Sequence, residues 1–345
     1  MPPAGGSDKI IRKAKRQSEG REPLQASPPR LPPRDASVTA APAAVGEARL
    51  FRYDAHPRTD GRRQYVYAVL SRRARGISIG LNLNPDAACN FGCVYCQVDR
   101  SDPRPPGEVD ERRLLDELQA TLEEGRDGRL LERAAADGVP VPLRRVADVA
   151  FSGDGEPTAY PGWGALVDDV GAVIDRTLPG TPIVLITNAS LFHLPEVAAG
   201  LDRLAARGGR VWAKLDAGTE SWFSRVNGTR VPFARVLDNI GEEARKRPLV
   251  IQSLFLRLAG DAPSRREIDA WVSRLAVLVA EGGRLREVQV TTVARPPADP
   301  AAEALSPAEL EEIAGRARAA LPGVPVEVYA ASRTGHPHAP DGGAP

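Results

Sequence analysis

Along most of the chain, short runs of β-branched and other apolar residues alternate with longer stretches in which apolar residues recur at helical spacing. The short runs have the length and composition of buried strands, and the longer stretches have those of amphipathic helices. Strands that alternate with helices in this way form parallel sheets with helices packed against them. The six predicted strands are Ile77–Leu83, Val146–Ser152, Ile183–Asn188, Val211–Asp216, Leu249–Leu256 and Val288–Val293.

The predicted helices carry start signals that can be identified in the sequence. Asp110 precedes a Leu-rich periodic run, and Ser306 and Glu309 have the spacing of a capping box. A seventh strand is predicted after the last helix, at Val324–Tyr329. The six predicted helices are Asp110–Glu124, Trp163–Arg176, Pro195–Arg207, Phe233–Arg245, Ser264–Glu281 and Ser306–Ala320.

Six parallel strands that are each followed by a helix close only part of a barrel, so we predict an α/β fold, a partial (β/α)6 TIM-like barrel. Such barrels carry their chemistry on the loops at the carboxyl ends of the strands. The predicted core domain is 51–330. Residues 1–50, rich in Pro, Ala and Arg, are expected to form a disordered tail, and residues 331–345 a flexible C-terminal tail.

Composition narrows the class of protein. Apolar residues make up 42% of the chain, but the longest apolar runs are far too short to span a bilayer. The net charge of +1 lacks the basic excess of a dedicated nucleic-acid binder. The three cysteines fall within eight residues, which fits a metal site in a reducing compartment better than a disulfide framework. We therefore expect a cytoplasmic protein that does not bind a membrane.

The cysteines stand on the loop that follows the first predicted strand. Cys89, Cys93 and Cys96 have the spacing Cys-x3-Cys-x2-Cys. Three thiolates bind three irons of a [4Fe-4S] cluster and leave the fourth iron open, and thiolate ligation is the rule for such clusters. The alternatives are a structural zinc ion, which normally takes four protein ligands, and three thiols without a metal. The chain has no fourth cysteine.

This loop, with the aromatic Tyr95 before the last cysteine, resembles the cysteine motif of the radical S-adenosylmethionine (SAM) superfamily. The resemblance implies a barrel of the radical SAM type and a cluster whose open iron binds SAM. It further implies reductive cleavage of SAM to a 5'-deoxyadenosyl radical, with electrons from a donor such as flavodoxin or ferredoxin. Tyr95 would pack against the SAM adenine; plain packing beside the loop is the alternative.

The second predicted strand ends in Gly153-Asp154-Gly155-Glu156. This segment looks like the family's Gly-Gly-Glu motif, with Asp154 in place of the first glycine. The resemblance implies that Gly155 and Glu156 belong to the site that binds the SAM amino group. The alternative is an ordinary loop with its acid at the start of a helix. Asn188, at the end of the third strand, either hydrogen-bonds the cofactor or caps a turn.

The fourth strand places Lys214 and Asp216 on one face, because side chains alternate along a strand. The chain has only five lysines, and a buried lysine can form Schiff bases, which makes Lys214 a candidate catalytic residue. The alternative is an ion pair with Asp216 or Glu156 that completes the SAM pocket. Asp216 is predicted to contact the cofactor. Arg295, after the sixth strand, is a candidate clamp for a substrate anion.

Segments from about Tyr65 to Pro297 look like the branch of the superfamily grouped with wyosine-type tRNA-base enzymes. That branch implies a lysine Schiff base with pyruvate and a second cysteine-bound cluster. No cysteines remain for a second cluster, so the wyosine reaction is not expected. The substrate stays open between a small molecule, an RNA base and a protein. A glycyl-radical-type activase and a non-catalytic regulator that binds the cluster or SAM are the alternative functions.

Overall fold

The computed structural model describes residues 51, 63–98, 100 and 107–331. The predicted N-terminal tail, 1–50, lies outside the described residues, as does the predicted C-terminal tail beyond residue 331. The described chain forms a curled half-barrel of mostly parallel strands with helices on its outer face. This confirms the predicted fold class.

Nine strands form the sheet in the described part of the chain, in the spatial order β1-β2-β3-β4-β5-β6-β7-β9, with β8 paired to β6. The strands β2 to β7 and β9 run parallel to one another, whereas β1 and β8 pair antiparallel with β2 and β6. The strands are β1 Val66–Ser71, β2 Gly76–Leu81, β3 Val146–Phe151, β4 Ile183–Thr187, β5 Arg210–Lys214, β6 Leu249–Leu258, β7 Leu285–Thr292, β8 Ala302–Ala304 and β9 Val326–Tyr329.

All six predicted parallel strands are present, and the predicted seventh strand is β9. The hairpin strand β1 was not predicted. Its turn to β2 contains neither Pro nor Asn, and Arg75 takes the positive φ of 51° that a turn signal would normally assign to glycine or asparagine. The strand is buried along nearly its whole length, so it also lacks the alternation of an exposed hairpin.

Eight α-helices occur among the described residues, and six of them begin and end within two residues of a predicted helix. As predicted, the Asp110 side chain accepts from the Arg113 amide, and Ser306 and Glu309 form a capping box. The helices are α1 Glu111–Arg126, α2 Arg129–Ala136, α3 Trp163–Thr177, α4 Pro195–Ala206, α5 Glu220–Asn227, α6 Phe233–Lys246, α7 Arg265–Ala280 and α8 Pro307–Ala320. The short helices α2 and α5 were not predicted.

The hydrophobic core lies between the helices and the outer face of the sheet. Trp271 on α7 is fully buried, its ring lies edge-on to Phe255 at 5.0 Å, and its Nε1 donates to the Leu215 carbonyl and the Ser253 hydroxyl. A separate small apolar cluster, centred on Trp212, fills part of the interior of the half-barrel. The outer face therefore supplies most of the stability and leaves the concave face available for polar groups.

None of the helices in the described ranges combines the length and the apolarity needed to cross a lipid bilayer.

We expect Trp271→Ala to lower the free energy of unfolding by about 3–5 kcal/mol, because it leaves a large cavity beside Phe255 and frees two buried acceptors. Urea unfolding followed by circular dichroism measures the change. Val277→Ala on the same helix is the control: Val277 is 49% exposed, and its truncation should change stability by less than about 0.5 kcal/mol. Equal losses in both variants would contradict this account of the core.

Candidate active site

The cysteine loop leaves β2 at the carboxyl edge of the sheet, and its backbone is bound to the end of α5. The Gly92 amide donates to the Asn227 carbonyl at 3.0 Å, and the Val94 amide donates to the Val226 carbonyl at 2.9 Å. Gly228, with φ 53°, passes so close that a Cβ there would lie 2.6 Å from the Gly92 carbonyl oxygen. Both the backbone angle and the close approach therefore require glycine at 228.

Hydrogen-bond donors point at two of the three sulfur atoms. Arg100 Nη1 donates to Cys96 Sγ at 3.0 Å, and Asn227 Nδ2 donates to Cys93 Sγ at 3.5 Å. Burial raises the pKa of Cys89, and burial raises the pKa of Cys93 to about 11. A cationic group that binds thiolates would reverse this preference for the neutral thiol, since metal ligation requires the thiolate.

The arrangement of these donors fits an iron–sulfur cluster. Within the described residues, no three His, Cys, Asp or Glu side chains converge closely enough to hold a single metal ion. A structural zinc ion takes four such ligands at one point. In a [4Fe-4S] cube each thiolate binds a different iron, and the three sulfurs need not converge. Hydrogen bonds aimed at sulfur are one of the means by which proteins tune such clusters.

The guanidinium group of Arg100 donates several hydrogen bonds within the site. In addition to its bond to Cys96, its Nε donates to the Ala87 carbonyl at 3.0 Å, and its Nη2 donates to the Asp154 carbonyl at 2.7 Å. One guanidinium thus joins the two ends of the cysteine loop to the loop that follows β3. Sequence reasoning did not single out Arg100, because its position four residues after Cys96 was the only indication of its role.

Asp154, the residue that departs from the Gly-Gly-Glu pattern, forms two hydrogen bonds with Asn82. The Asn82 Nδ2 donates to Asp154 Oδ2 at 3.1 Å, and the Asp154 amide donates back to Asn82 Oδ1 at 3.0 Å. At Gly153, a Cβ would lie 2.3 Å from Asn82 Oδ1, and at Gly155 a Cβ would lie 1.9 Å from the Ala88 carbonyl oxygen. The two glycines therefore let the loops after β2 and β3 pass against each other.

Glu156 is buried at 2% exposure and is held by four donors. Its Oε1 accepts from the Thr158 amide at 3.1 Å, the Thr158 hydroxyl at 2.6 Å and the Thr187 hydroxyl at 2.7 Å, whereas its Oε2 accepts only from the Asn188 amide at 2.8 Å. Burial raises the pKa of Glu156, and these hydrogen bonds oppose the rise. Each carboxylate oxygen has two acceptor sites, so Oε2 retains one for a further donor.

Asn188 connects β4 to the cysteine loop. Its Nδ2 donates to Asn90 Oδ1 at 2.8 Å, and its Oδ1 accepts from the Ser190 amide at 3.0 Å. The second bond is the turn-capping contact that the sequence indicated as the alternative role of Asn188. The asparagine therefore closes a turn and orients the loop, and both side-chain groups have protein partners.

Tyr95, Lys214 and Asp216 form a second group of residues in mutual contact. Lys214 Nζ lies 4.7 Å from the centroid of the Tyr95 ring and 3.5 Å from Asp216 Oδ1, while the Tyr95 hydroxyl donates to Asp216 Oδ2. Asp216 is fully buried and also accepts from the Leu254 amide at 2.9 Å and from Asn227 Nδ2 at 3.1 Å. Burial and the adjacent Asp216 carboxylate raise the pKa of Tyr95 well above its usual value.

These groups surround a cavity of about 310 Å³ at the carboxyl-terminal end of the parallel strands, which we call the upper cavity. Its volume lies at the small end of the range of small-molecule sites. All nine predicted site residues lie on its walls or directly behind them. The predicted residues that line the cavity are Cys89, Cys93, Cys96, Tyr95, Gly155, Glu156, Asn188 and Lys214, with the candidate anion clamp Arg295. Asp216 lies behind this surface and contacts Tyr95 and Lys214.

A family model described as the Radical SAM superfamily matches residues 83–257, about half of the chain. The chain is similar in fold to a radical SAM methyltransferase from Sphaerobacter thermophilus, with a TM-score of 0.53 and 14% identity over 78% of this chain and 70% of that chain. A structure of TYW1 with a lysine-pyruvate adduct bound gives a TM-score of 0.47 and 14% identity, over 74% and 84% of the two chains.

A curated relative, "GTPase Obg" of Brachyspira hyodysenteriae, is 25% identical over 248 residues. The match covers 71% of this chain and spans about a third of the relative, 32% of its length. Because the match spans so small a part of the relative, the relative's name is not carried over to this chain.

We expect Gly155→Ala to destabilise the protein and to expose the cysteine loop, because the added methyl group would collide with the Ala88 carbonyl. Urea unfolding and the rate at which an aromatic disulfide labels the thiols measure the two effects. Gly315→Ala is the matched control: no atom lies within 4 Å of its added Cβ, and alanine in a helix should stabilise by about 0.5–1 kcal/mol. Unchanged labelling in Gly155→Ala would contradict this account, because it would show that the methyl group is accommodated without exposing the cysteine loop.

Proposed function

Since this chain belongs to the radical SAM superfamily and is a radical SAM enzyme, we propose that it holds one [4Fe-4S] cluster on Cys89, Cys93 and Cys96 and cleaves SAM reductively. The observation that carries the proposal is that the chain's only cysteines line the same cavity as Glu156 and Lys214. When bound, the reduced cluster supplies the electron that converts SAM to a 5'-deoxyadenosyl radical, which acts on a substrate that we leave open.

The proposal assigns the positioning of the cluster to Arg100 and Asn227, whose donors point at the sulfurs of Cys96 and Cys93. Positive charge and hydrogen bonds next to thiolates stabilise the ligated form over the free thiol. All three cysteines are assigned to this one cluster. The electron must therefore come from a partner, and we propose an external one-electron donor such as flavodoxin or ferredoxin.

Glu156 and Gly155 are proposed to bind the amino end of SAM. The support is the acceptor site that remains on Glu156 Oε2, next to Gly155 in the cavity wall. An ammonium group donating there would pair with a carboxylate that Thr158, Thr187 and Asn188 already hold in one orientation. Asn188 contributes to this site through its backbone amide, which donates to the Glu156 carboxylate, and through the turn that its side chain closes.

Tyr95 and Asp216 are proposed to form part of the SAM site, with Lys214 as the residue that acts on the substrate. The support is that Asp216 receives four donors, so that its charge is compensated by several groups and not by Lys214 alone. Lys214 lies at one edge of this cluster, with its side chain 19% exposed to the cavity. The Lys214 ammonium group can therefore contact a bound molecule while the other donors still compensate the buried Asp216 carboxylate.

Two alternative functions would use the same arrangement of site residues. A glycyl-radical-type activase would act on a protein partner and consume one SAM for each activation. A non-catalytic regulator would bind the cluster or SAM without turnover. Reductive SAM cleavage separates the enzyme from the regulator, and SAM consumption per turnover separates the activase from a multiple-turnover enzyme.

The proposal predicts close to four irons per chain after anaerobic reconstitution with iron and sulfide, and 5'-deoxyadenosine formation once the protein is reduced in the presence of SAM. Cys93→Ala should lose the cleavage activity, because it removes one of the three iron ligands. Iron and zinc analysis with chromatography of the nucleoside products measures both. About one zinc per chain and no cleavage would overturn the cluster assignment, whereas SAM binding without cleavage would support the regulator.

If Lys214 acts on the substrate, Lys214→Met should retain the iron content and SAM cleavage in the absence of substrate. The physical reason is that Asn227, Tyr95 and the Leu254 amide still compensate Asp216. Lys246→Met is the matched control, since Lys246 is exposed and only loosely paired with Glu243 at 3.9 Å. Loss of SAM cleavage in Lys214→Met alone would instead show that Lys214 completes the SAM pocket.

A further inference from the structure

A second and larger cavity opens at the opposite, amino-terminal end of the half-barrel. Its volume is about 630 Å³, and no cysteine lies in its wall. It is lined where the parallel strands begin, by Val146 of β3, by Pro182 just before β4, by Arg210 of β5 and by Arg286 of β7. Only three residues, Arg73, Asp148 and Trp212, line both this lower cavity and the upper one.

The lower cavity is strongly basic in a chain whose net charge is only +1. Five arginines and two acids line it, which gives the wall a net charge of +3. None of these five arginines forms an ion pair with a carboxylate of the described residues, although arginines elsewhere, such as Arg203 and Arg247, do. The five are Arg73, Arg144, Arg145, Arg210 and Arg286.

Each of the two acids of the wall accepts a hydrogen bond from a hydroxyl, and the charge of Asp148 also acts on Arg73, Arg145 and Arg210 without forming an ion pair with them. Asp148 Oδ1 accepts from the Ser78 hydroxyl at 2.5 Å, and Glu287 Oε1 accepts from the Tyr329 hydroxyl at 3.2 Å. Two of the arginines are held in place by backbone carbonyls: Arg144 Nε donates to Val139 at 2.6 Å, and Arg145 Nη2 donates to Ala74 at 3.0 Å. Each of these guanidinium groups retains donors for a further acceptor, since a guanidinium carries five.

Arg73 lines both cavities and therefore lies between them. Its guanidinium carbon lies 5.4 Å from the centroid of the Trp212 ring, and its side chain donates no hydrogen bond to any described residue. Burial and the neighbouring Arg72 charge lower the pKa of Arg73 to about 10, and Asp148 opposes this fall, so the half-buried side chain stays charged at neutral pH. The indole Nε1 of Trp212 is buried and likewise has no acceptor in the described chain. A ligand that brings acceptor oxygens would supply the hydrogen-bond acceptors that Arg73 and Trp212 lack among the described residues.

We propose that the lower cavity binds a small molecule through its oxyanion groups, either phosphate or carboxylate, with Arg73 as the central contact and Arg145 at the rim. Guanidinium groups bind both oxyanions through paired hydrogen bonds. The limited volume of the lower cavity favours a small molecule over a nucleic acid. This site goes beyond the proposed function, since it uses none of the residues assigned to the cluster or to SAM.

The test is titration calorimetry of the full-length protein with inorganic pyrophosphate and, separately, with citrate. Saturable binding at one site is expected for at least one of them, and Arg73→Gln should weaken it by at least about tenfold. Arg145→Gln provides a second variant at an exposed position, in case Arg73→Gln perturbs the fold. Arg112→Gln is the matched control, because Arg112 is exposed on α1 and lies outside both cavities.

Preference for pyrophosphate would assign a phosphate-bearing ligand, and preference for citrate a carboxylate. Absence of saturable binding to either probe would overturn the proposal. So would equal weakening in Arg112→Gln, because the binding would then reflect diffuse surface charge. Binding here is measured without iron, SAM or reductant, so its failure leaves the cluster proposal untouched, and failure of SAM cleavage leaves this proposal untouched.

Discussion

The close approach of two loops at the carboxyl edge of the sheet is the constraint on which the site depends. The loop after β2 carries the cysteines, and the loop after β3 carries Gly155, whose missing side chain leaves room for the Ala88 carbonyl. Arg100 then joins both loops and donates to Cys96. Because the parallel strands end side by side, a few hydrogen bonds are enough to hold three thiols against one cavity.

The two ends of the half-barrel differ in how their charged groups are partnered. The upper end holds the buried carboxylates Glu156 and Asp216, each compensated by several donors, whereas the lower end holds arginines that lack carboxylate partners. Between them lies the apolar cluster around Trp212. A buried carboxylate with a free acceptor site suits a cationic group, and unpaired guanidinium groups suit an anionic one. The two ends are therefore suited to different ligands.

Membership of the superfamily accounts for the cysteine loop and the half-barrel, but it does not specify a substrate. The fold is shared with a radical SAM methyltransferase at only 14% identity, and one fold supports many reactions. What distinguishes this chain is local: Asp154 is accommodated by Asn82, and Lys214 is placed between a tyrosine ring and a buried carboxylate.

The sequence by itself determined the order of strands and helices, because hydrophobic periodicity and helix caps are local properties. It also identified the cysteines and the loop ending at Glu156, since those residues are close together in the chain. Tertiary structure alone decided that Arg100 donates to Cys96, that Asp216 contacts Tyr95, and that five arginines, Arg73 among them, line one cavity. These contacts join residues from different strands and loops. The distances between these residues cannot be inferred from their spacing in the sequence, because they are set only when the parallel strands pack into one sheet.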